Sequence, residues 1–172
     1  MGPSKTYENF PAGIVMVSDS VTVLLWAAGF IIMLKFSPIA GFVYLAYLLV
    51  LEYRLLSRHC VNCWYYGKTC GFGQGRLSAI LFKKGNPERF CAGSFTWKDM
   101  VPDLMVSLVP VITGIALIAV KFDLLVLVAL VLLILLTTVG NSMVRGNFAC
   151  KYCRQREHGC PAEKLFSKEK AN

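Results

Sequence analysis

The stretch Leu124-Leu-Val-Leu-Val-Ala-Leu-Val-Leu-Leu-Ile-Leu-Leu-Thr-Thr-Val-Gly-Asn-Ser-Met-Val144 runs for 21 positions without a charged residue. A helix needs about 20 predominantly apolar residues to cross the hydrocarbon core of a bilayer, so this block alone qualifies as a span. Three further uncharged blocks surround it: Leu104 to Val120, Ser20 to Leu34 and Phe36 to Leu51. Leu104 to Val120 reaches spanning length once its flanks are added. Asn9 to Ser18 extends the Ser20 block backwards past Asp19. Leu55 and Leu56 extend the Phe36 block, with Glu52 and Arg54 snorkelling to the interface.

The chain therefore reads as an all-α membrane protein with four spans, near 15–35, 38–57, 102–121 and 123–144. Lys35-Phe36-Ser37-Pro38 and Lys121-Phe122-Asp123 are too short to be anything but hairpin tips. The N-terminus has no basic region followed by a cleavage site, so the first span is expected to be retained. With 56% of its 172 residues apolar and the apolar residues in so few blocks, a soluble globular domain is excluded.

Lys and Arg are distributed unevenly. The segment between spans two and three carries Arg54, Arg58, Lys68, Arg76, Lys83, Lys84, Arg89 and Lys98. The C-terminal tail carries Arg145, Lys151, Arg154, Arg156, Lys164, Lys168 and Lys170, whereas the tips carry only Lys35 and Lys121. Four spans put both termini and the middle segment on one side, and the positive-inside bias makes that side the cytoplasm. The net charge of +8 reads as topogenic and suited to anionic lipid headgroups. Nucleic-acid binding is set aside, because the basic residues hug the membrane and form no separate basic domain.

All seven cysteines fall in those basic segments: Cys60, Cys63, Cys70, Cys91, Cys150, Cys153 and Cys160. A reducing compartment disfavours structural disulfides, and an odd count leaves one thiol over. Their spacing repeats. Cys60, Cys63 and Cys70 form a C-x2-C-x6-C pattern that returns at Cys150, Cys153 and Cys160, and Lys35-Phe36 corresponds to Lys121-Phe122. The offset between copies is 86 at the tips and 90 at the cysteines, which predicts about one extra helical turn in the second half. Residues 1–98 and 99–172 then form two tandem repeats, each a hairpin followed by a Cys-rich cytoplasmic metal-binding loop. Even span numbers give both copies the same orientation.

C-x2-C is the spacing at which a tight turn aims two thiolates at one metal. A lone pair could be a redox dithiol; two copies, each with a third cysteine at equal distance, point to metal. Cys60, Cys63 and Cys70 with Cys91 close one site, Cys91 being preferred over His59, which adjoins Cys60 awkwardly. Cys150, Cys153 and Cys160 with His158 close a second. The alternative is one cross-repeat site using Cys60, Cys63, Cys150 and Cys153. Zn2+ is favoured over [4Fe–4S], since the spacing is not that of ferredoxins although Cys160-Pro161 echoes their ending. Trp64, Tyr65, Tyr66, Phe72, Phe148 and Tyr152 crowd the clusters, as interfacial anchors or as a shield from water.

Other features read more plainly. Gly29, Gly41 and Gly114, with Ala27, Ala28, Ala40 and Ala46, offer small faces for helix approach, and Pro110 predicts a kink. Asp19 and Asp103 read as caps at the starts of spans one and three, with a proton relay as the alternative. Thr96-Trp97-Lys98-Asp99 resembles a capping box that starts the third helix. The glycines of Cys70-Gly71-Phe72-Gly73-Gln74-Gly75-Arg76 permit tight turns, and no G-K-[ST] follows to make a phosphate loop. Residues 77–84 read as a short amphipathic piece on the membrane surface.

No Ser-His-Asp set, paired carboxylates or H-E-x-x-H motif is present, which argues against an enzyme. The leading expectation is a metal-binding scaffold or accessory subunit contacting anionic lipid and other protein subunits. An iron–sulfur electron-transfer subunit is the alternative. A lipid- or prenyl-processing enzyme using Arg76 comes third.

Overall fold

The structure, a computed structural model, describes residues 6–87, 90, 97–158 and 160, with Trp97 to Met100 and His158 described by backbone alone. Among the described residues the longer α-helices are α1 (Ala12–Phe36), α2 (Pro38–Arg58), α3 (Gln74–Leu81), α4 (Trp97–Val120) and α5 (Leu124–Leu135). No strand occurs among the described residues. Four of the helical runs are long and apolar enough to cross a membrane: Ala12–Phe36, Pro38–Asn62, Val101–Val120 and Leu124–Tyr152.

Helix ends follow local chemistry. Ser37 alone separates α1 from α2, and Pro38 takes the first helical position, where its missing N–H costs nothing. Asp123 caps α5 by accepting from the Leu125 N–H at 2.9 Å. Its other oxygen takes the Lys35 Nζ at 2.8 Å, joining the two hairpin tips. That pair holds the Asp123 carboxyl below its usual range, the Lys35 hydrogen bond being the main cause.

The capping role expected of Asp19 and Asp103 does not hold. α1 begins at Ala12 and α4 at Trp97, so both aspartates lie well inside their helices, beyond the first-turn donors that a cap would satisfy. The expected capping box at Thr96-Trp97-Lys98-Asp99 begins outside the described residues.

The helical run before the second C-x2-C segment is longer than the run before the first. Pro38 stands 22 positions before Cys60, whereas Leu124 stands 26 before Cys150. After α5 the chain enters a π-helical turn (Leu136–Gly140), a short α turn (Asn141–Met143) and a second π segment (Val144–Ala149). Wider turns take up extra residues without lengthening the helix in proportion. Thr137 and Thr138 donate their hydroxyls to the Leu133 and Ile134 carbonyls, both at 2.7 Å, where the winding changes. Such back-bonding competes with the helical ladder and bends helices.

The described chain divides into two compact units. One comprises Asp19–Glu52 and Lys98–Met143. Its core joins Ala28, Ile32, Ala129, Leu130 and Leu133, with Val111, Leu117 and Ile118 packed alongside. A second cluster joins Met33, Tyr44 and Leu48 with Trp26, Phe30 and Val106. A Cβ on Gly29 would collide with the Tyr44 hydroxyl, so this glycine is what lets α2 close on α1. Large apolar residues such as Ile39, Val43, Val50 and Val128 stay exposed. Helices apolar on every side with so little of that surface buried suit lipid as their solvent.

Candidate metal centre

The other unit comprises Met1–Ser18, Tyr53–Trp97 and Val144–Asn172 as far as they are described, and holds all the described cysteines. The two C-x2-C segments fold alike. Cys60–Asn62 and Cys150–Tyr152 each form one 3-10 turn after a residue in right-handed helical conformation, His59 or Ala149. Each turn closes with the second cysteine donating its N–H to the first carbonyl, Cys63 to Cys60 at 3.2 Å and Cys153 to Cys150 at 3.3 Å. Cys63 and Cys153 both leave in extended conformation. The next carbonyl bond repeats too, from Tyr66 to Cys63 and from Arg156 to Cys153. A single turn of this kind places residues i and i+3 on one side, the geometry that a two-thiolate metal clip uses.

Gln155 joins the two turns. It is only 4% exposed, and its Oε1 accepts the Trp64 N–H at 2.7 Å and the Cys63 thiol at 3.5 Å. Tyr65, 1% exposed, continues the connection: its hydroxyl donates to the Tyr7 carbonyl and accepts the Arg154 N–H at 3.0 Å. Burial pushes this phenol up to about 12, so it stays protonated and keeps donating.

The N-terminal arm laces through the same region. Tyr7 pairs with Cys153 in an isolated parallel bridge and donates its N–H to the Tyr152 carbonyl at 3.1 Å. Phe10, buried, donates to the Thr69 carbonyl at 2.9 Å and packs its ring on Tyr7 and Tyr65. Glu8 pairs with Arg154 at 2.7 Å. Arg154 and Lys68 in turn lie over the Trp64 ring, at 4.8 Å and 3.7 Å from its centroid.

The six described cysteines are all free thiols. Cys60 donates to the Gln74 Oε1 at 3.9 Å, and Cys70 Sγ accepts the Gly75 N–H at 3.4 Å. Burial pushes the Cys63 thiol up to about 11, and nearby Cys70 and Cys160 raise it further against the lowering effect of the Tyr65 and Trp64 N–H groups. Burial likewise pushes Cys153 up to about 12, with Cys63, Cys150 and Cys160 close enough to add to the effect. Thiols of each C-x2-C segment thus lie within electrostatic reach of the other. Among the described residues, however, no three His, Cys, Asp or Glu side chains converge as a ready-made metal site. Cys91 and the His158 side chain lie outside the described residues, so neither expected fourth ligand is placed.

Tyr7, Phe10 and Gln155 are the contributors that reading the sequence missed. Their only local signal is aromatic spacing in the arm before Pro11, and an amide two positions after Cys153. Comparison with known proteins finds no matching family model, curated protein or solved structure.

Proposed function

We propose that this chain is an integral membrane scaffold or accessory subunit with a thiolate metal centre on its cytoplasmic face, shared between two C-x2-C turns. The observation that carries the reading is the pairing of two similarly folded C-x2-C turns in one compact unit, with Gln155, two residues after Cys153, accepting from Cys63 and Trp64 of the other turn. The equal spacing and equal folding of the turns support tandem repeats of hairpin plus cysteine loop. The Lys and Arg distribution supports a cytoplasmic location for both turns and both termini.

Sharing is favoured over two separate sites because both C-x2-C turns lie in one compact unit and Gln155, two residues after Cys153, accepts from Cys63 of the other turn. Cys63, Cys150, Cys153 and Cys160 are the ligand set with the best claim; Cys70 and Cys60 flank it, held by the Gly75 N–H and Gln74. In the thiol form no three of the described side chains converge as a ready-made site. A divalent ion bound there would displace the thiol protons and offset thiolate burial by direct bonds, and its coordination would require the two turns to close up. Zn2+ suits four thiolates and a scaffold without catalytic groups. A [4Fe–4S] cluster suits the same donors and would make the chain an electron-transfer subunit, helped by the aromatic cover of Tyr7, Phe10, Trp64 and Tyr65.

The deciding experiment is anaerobic purification of the whole chain in detergent, followed by metal and acid-labile sulfide analysis with a visible spectrum. Colourless protein with zinc supports the scaffold. Brown protein with iron and sulfide supports electron transfer. Protein purified without metal, and unable to take up zinc or iron anaerobically, overturns the metal reading.

A further inference from the structure

Helix α3 is built inside out for a water-soluble surface helix. It buries its small residues and exposes its large apolar ones. Gly75 is buried against the backbone of Tyr65 and Lys68, where a Cβ would collide with both carbonyl oxygens. Ser78 is fully buried, with its hydroxyl on the Leu56 carbonyl of α2 at 3.5 Å. Leu77, Ile80 and Leu81 point the other way and are 43%, 80% and 57% exposed. Their i, i+3, i+4 spacing puts them on one face.

Charge surrounds that apolar face. Arg76, Lys83 and Lys84 are exposed beside it, and no acidic residue occurs from Gly71 to Pro87. The helix also ends level with an interfacial anchor. Phe82 packs edge-on against Tyr53 of α2 at 5.4 Å, and its carbonyl accepts the Tyr66 hydroxyl at 2.8 Å. Tyr53 lies near the end of a membrane-spanning run, where aromatic side chains sit at headgroup level.

We propose that α3 is a membrane-surface foot: Leu77, Ile80 and Leu81 insert into the leaflet where α2 ends, while Arg76, Lys83 and Lys84 bind anionic lipid headgroups. An exposed apolar face rimmed by cations, on a short helix fixed to the end of a span, has the bilayer as its partner. The tight seat of Gly75 and Ser78 holds the face in place before lipid is met, so insertion needs no folding step. This inference is independent of the metal reading.

The test replaces Ile80 with an environment-sensitive fluorescent amino acid in the full chain, reconstituted in phosphatidylcholine vesicles with or without phosphatidylglycerol. A lipid carrying a headgroup-level spin label is expected to quench the probe, and aqueous iodide to leave it bright. Adding phosphatidylglycerol should increase the lipid quenching. The triple variant R76Q, K83Q, K84Q should lose that increase, about fivefold in docking equilibrium for each charge removed. All three side chains are exposed, so the fold survives the change. Iodide quenching without lipid quenching would overturn the proposal. Protection from both quenchers would also overturn it, by showing that protein, such as a second copy of the chain, covers the face. Insensitivity to headgroup charge would overturn the role of the three cations.

Discussion

Tyr44 donates its hydroxyl to the backbone carbonyl of Val106 at 2.8 Å. That carbonyl is the one that loses its helical donor to Pro110, which lies four residues on and has no N–H. One turn along, Tyr47 makes the same bond to the Pro102 carbonyl. In lipid no water can replace a missing donor, so the Tyr44 hydroxyl from α2 serves the carbonyl that Pro110 leaves over in α4. The Tyr44→Phe change should destabilise the bundle by about 1 kcal/mol, within the range seen for hydrogen bonds between membrane helices. Pro110→Ala restores the N–H and should make the hydroxyl redundant. A double-mutant cycle by unfolding in mixed detergent should show that coupling, and strict additivity would refute it.

Gly29 and Gly13 make a matched pair on α1. A Cβ at Gly29 would meet the Tyr44 hydroxyl and ring, whereas nothing lies within 4 Å of one at Gly13. Gly29→Ala should therefore lower stability by about 1–3 kcal/mol through overpacking. Gly13→Ala should be neutral or gain up to about 1 kcal/mol from helix propensity. Equal Tm values for the two variants would contradict the close approach at Gly29.

The Lys35–Asp123 pair gives the hairpin tips a pH dependence of known sign. The Asp123 carboxyl is held below its ordinary value of 3.8 by Lys35 and by the Leu125 N–H. A lowered folded value means the contribution is fully present above about pH 4, near the unfolded carboxylate value, and is lost as the pH falls through the folded one. Because the pair is exposed, the effect should be small and should weaken in salt. Lys35→Met should flatten the acid limb of a Tm-versus-pH curve. An unchanged limb would show that the pair does not hold in solution.

Those three sites also show what the sequence made legible. Uncharged runs and short charged tips located the spans and hairpins, because the cost of burying charge in lipid leaves few alternatives. Gly29 was readable as a small face, but its fit to Tyr44 was not, since that depends on the register of α1 on α2. The four-residue excess before Cys150 was visible as an offset; the π-helical winding after Leu135, where Thr137 and Thr138 bond back to the ladder, was not. Asp19 and Asp103 were misplaced because polar residues at a span edge resemble caps, whereas α1 and α4 run on past the apolar limit. Tyr7 and Gln155 escaped notice because their partners, Tyr65 with Tyr152 and Cys63 with Trp64, are far away in the chain and leave no periodic trace.

Tyr65 tests whether the cysteine-bearing unit is held by polar bonds or by ring packing. Its hydroxyl serves the Tyr7 carbonyl and the Arg154 N–H at once. Tyr65→Phe keeps the ring against Trp64 and Phe10 but strands both backbone groups. The expected cost is about 1–3 kcal/mol. Hydrogen exchange should quicken at Arg154 without changing in residues 124–135. Unchanged protection at Arg154 would mean that its N–H has another acceptor.

Cys63 and Cys153 decide between one centre and two. If each C-x2-C turn holds its own ion, Cys63→Ser should lose the first and leave the second, and Cys153→Ser the reverse. A shared centre behaves differently, because each substitution removes a ligand from the same ion. Either variant should then fall to a small fraction of the parent's metal content, and the double variant should fall no further. Gln155→Ala separates bridging from ligation: it removes the acceptor of the Trp64 N–H, the bond that persists once Cys63 has given up its proton, but leaves every thiol in place. It should weaken metal retention against a chelator by about 10–100-fold, the range for supporting partners of metal ligands, without abolishing binding. Metal content measured on parent and four variants purified anaerobically gives the answer. Half-loading in each single cysteine variant would establish two independent sites and overturn the shared centre.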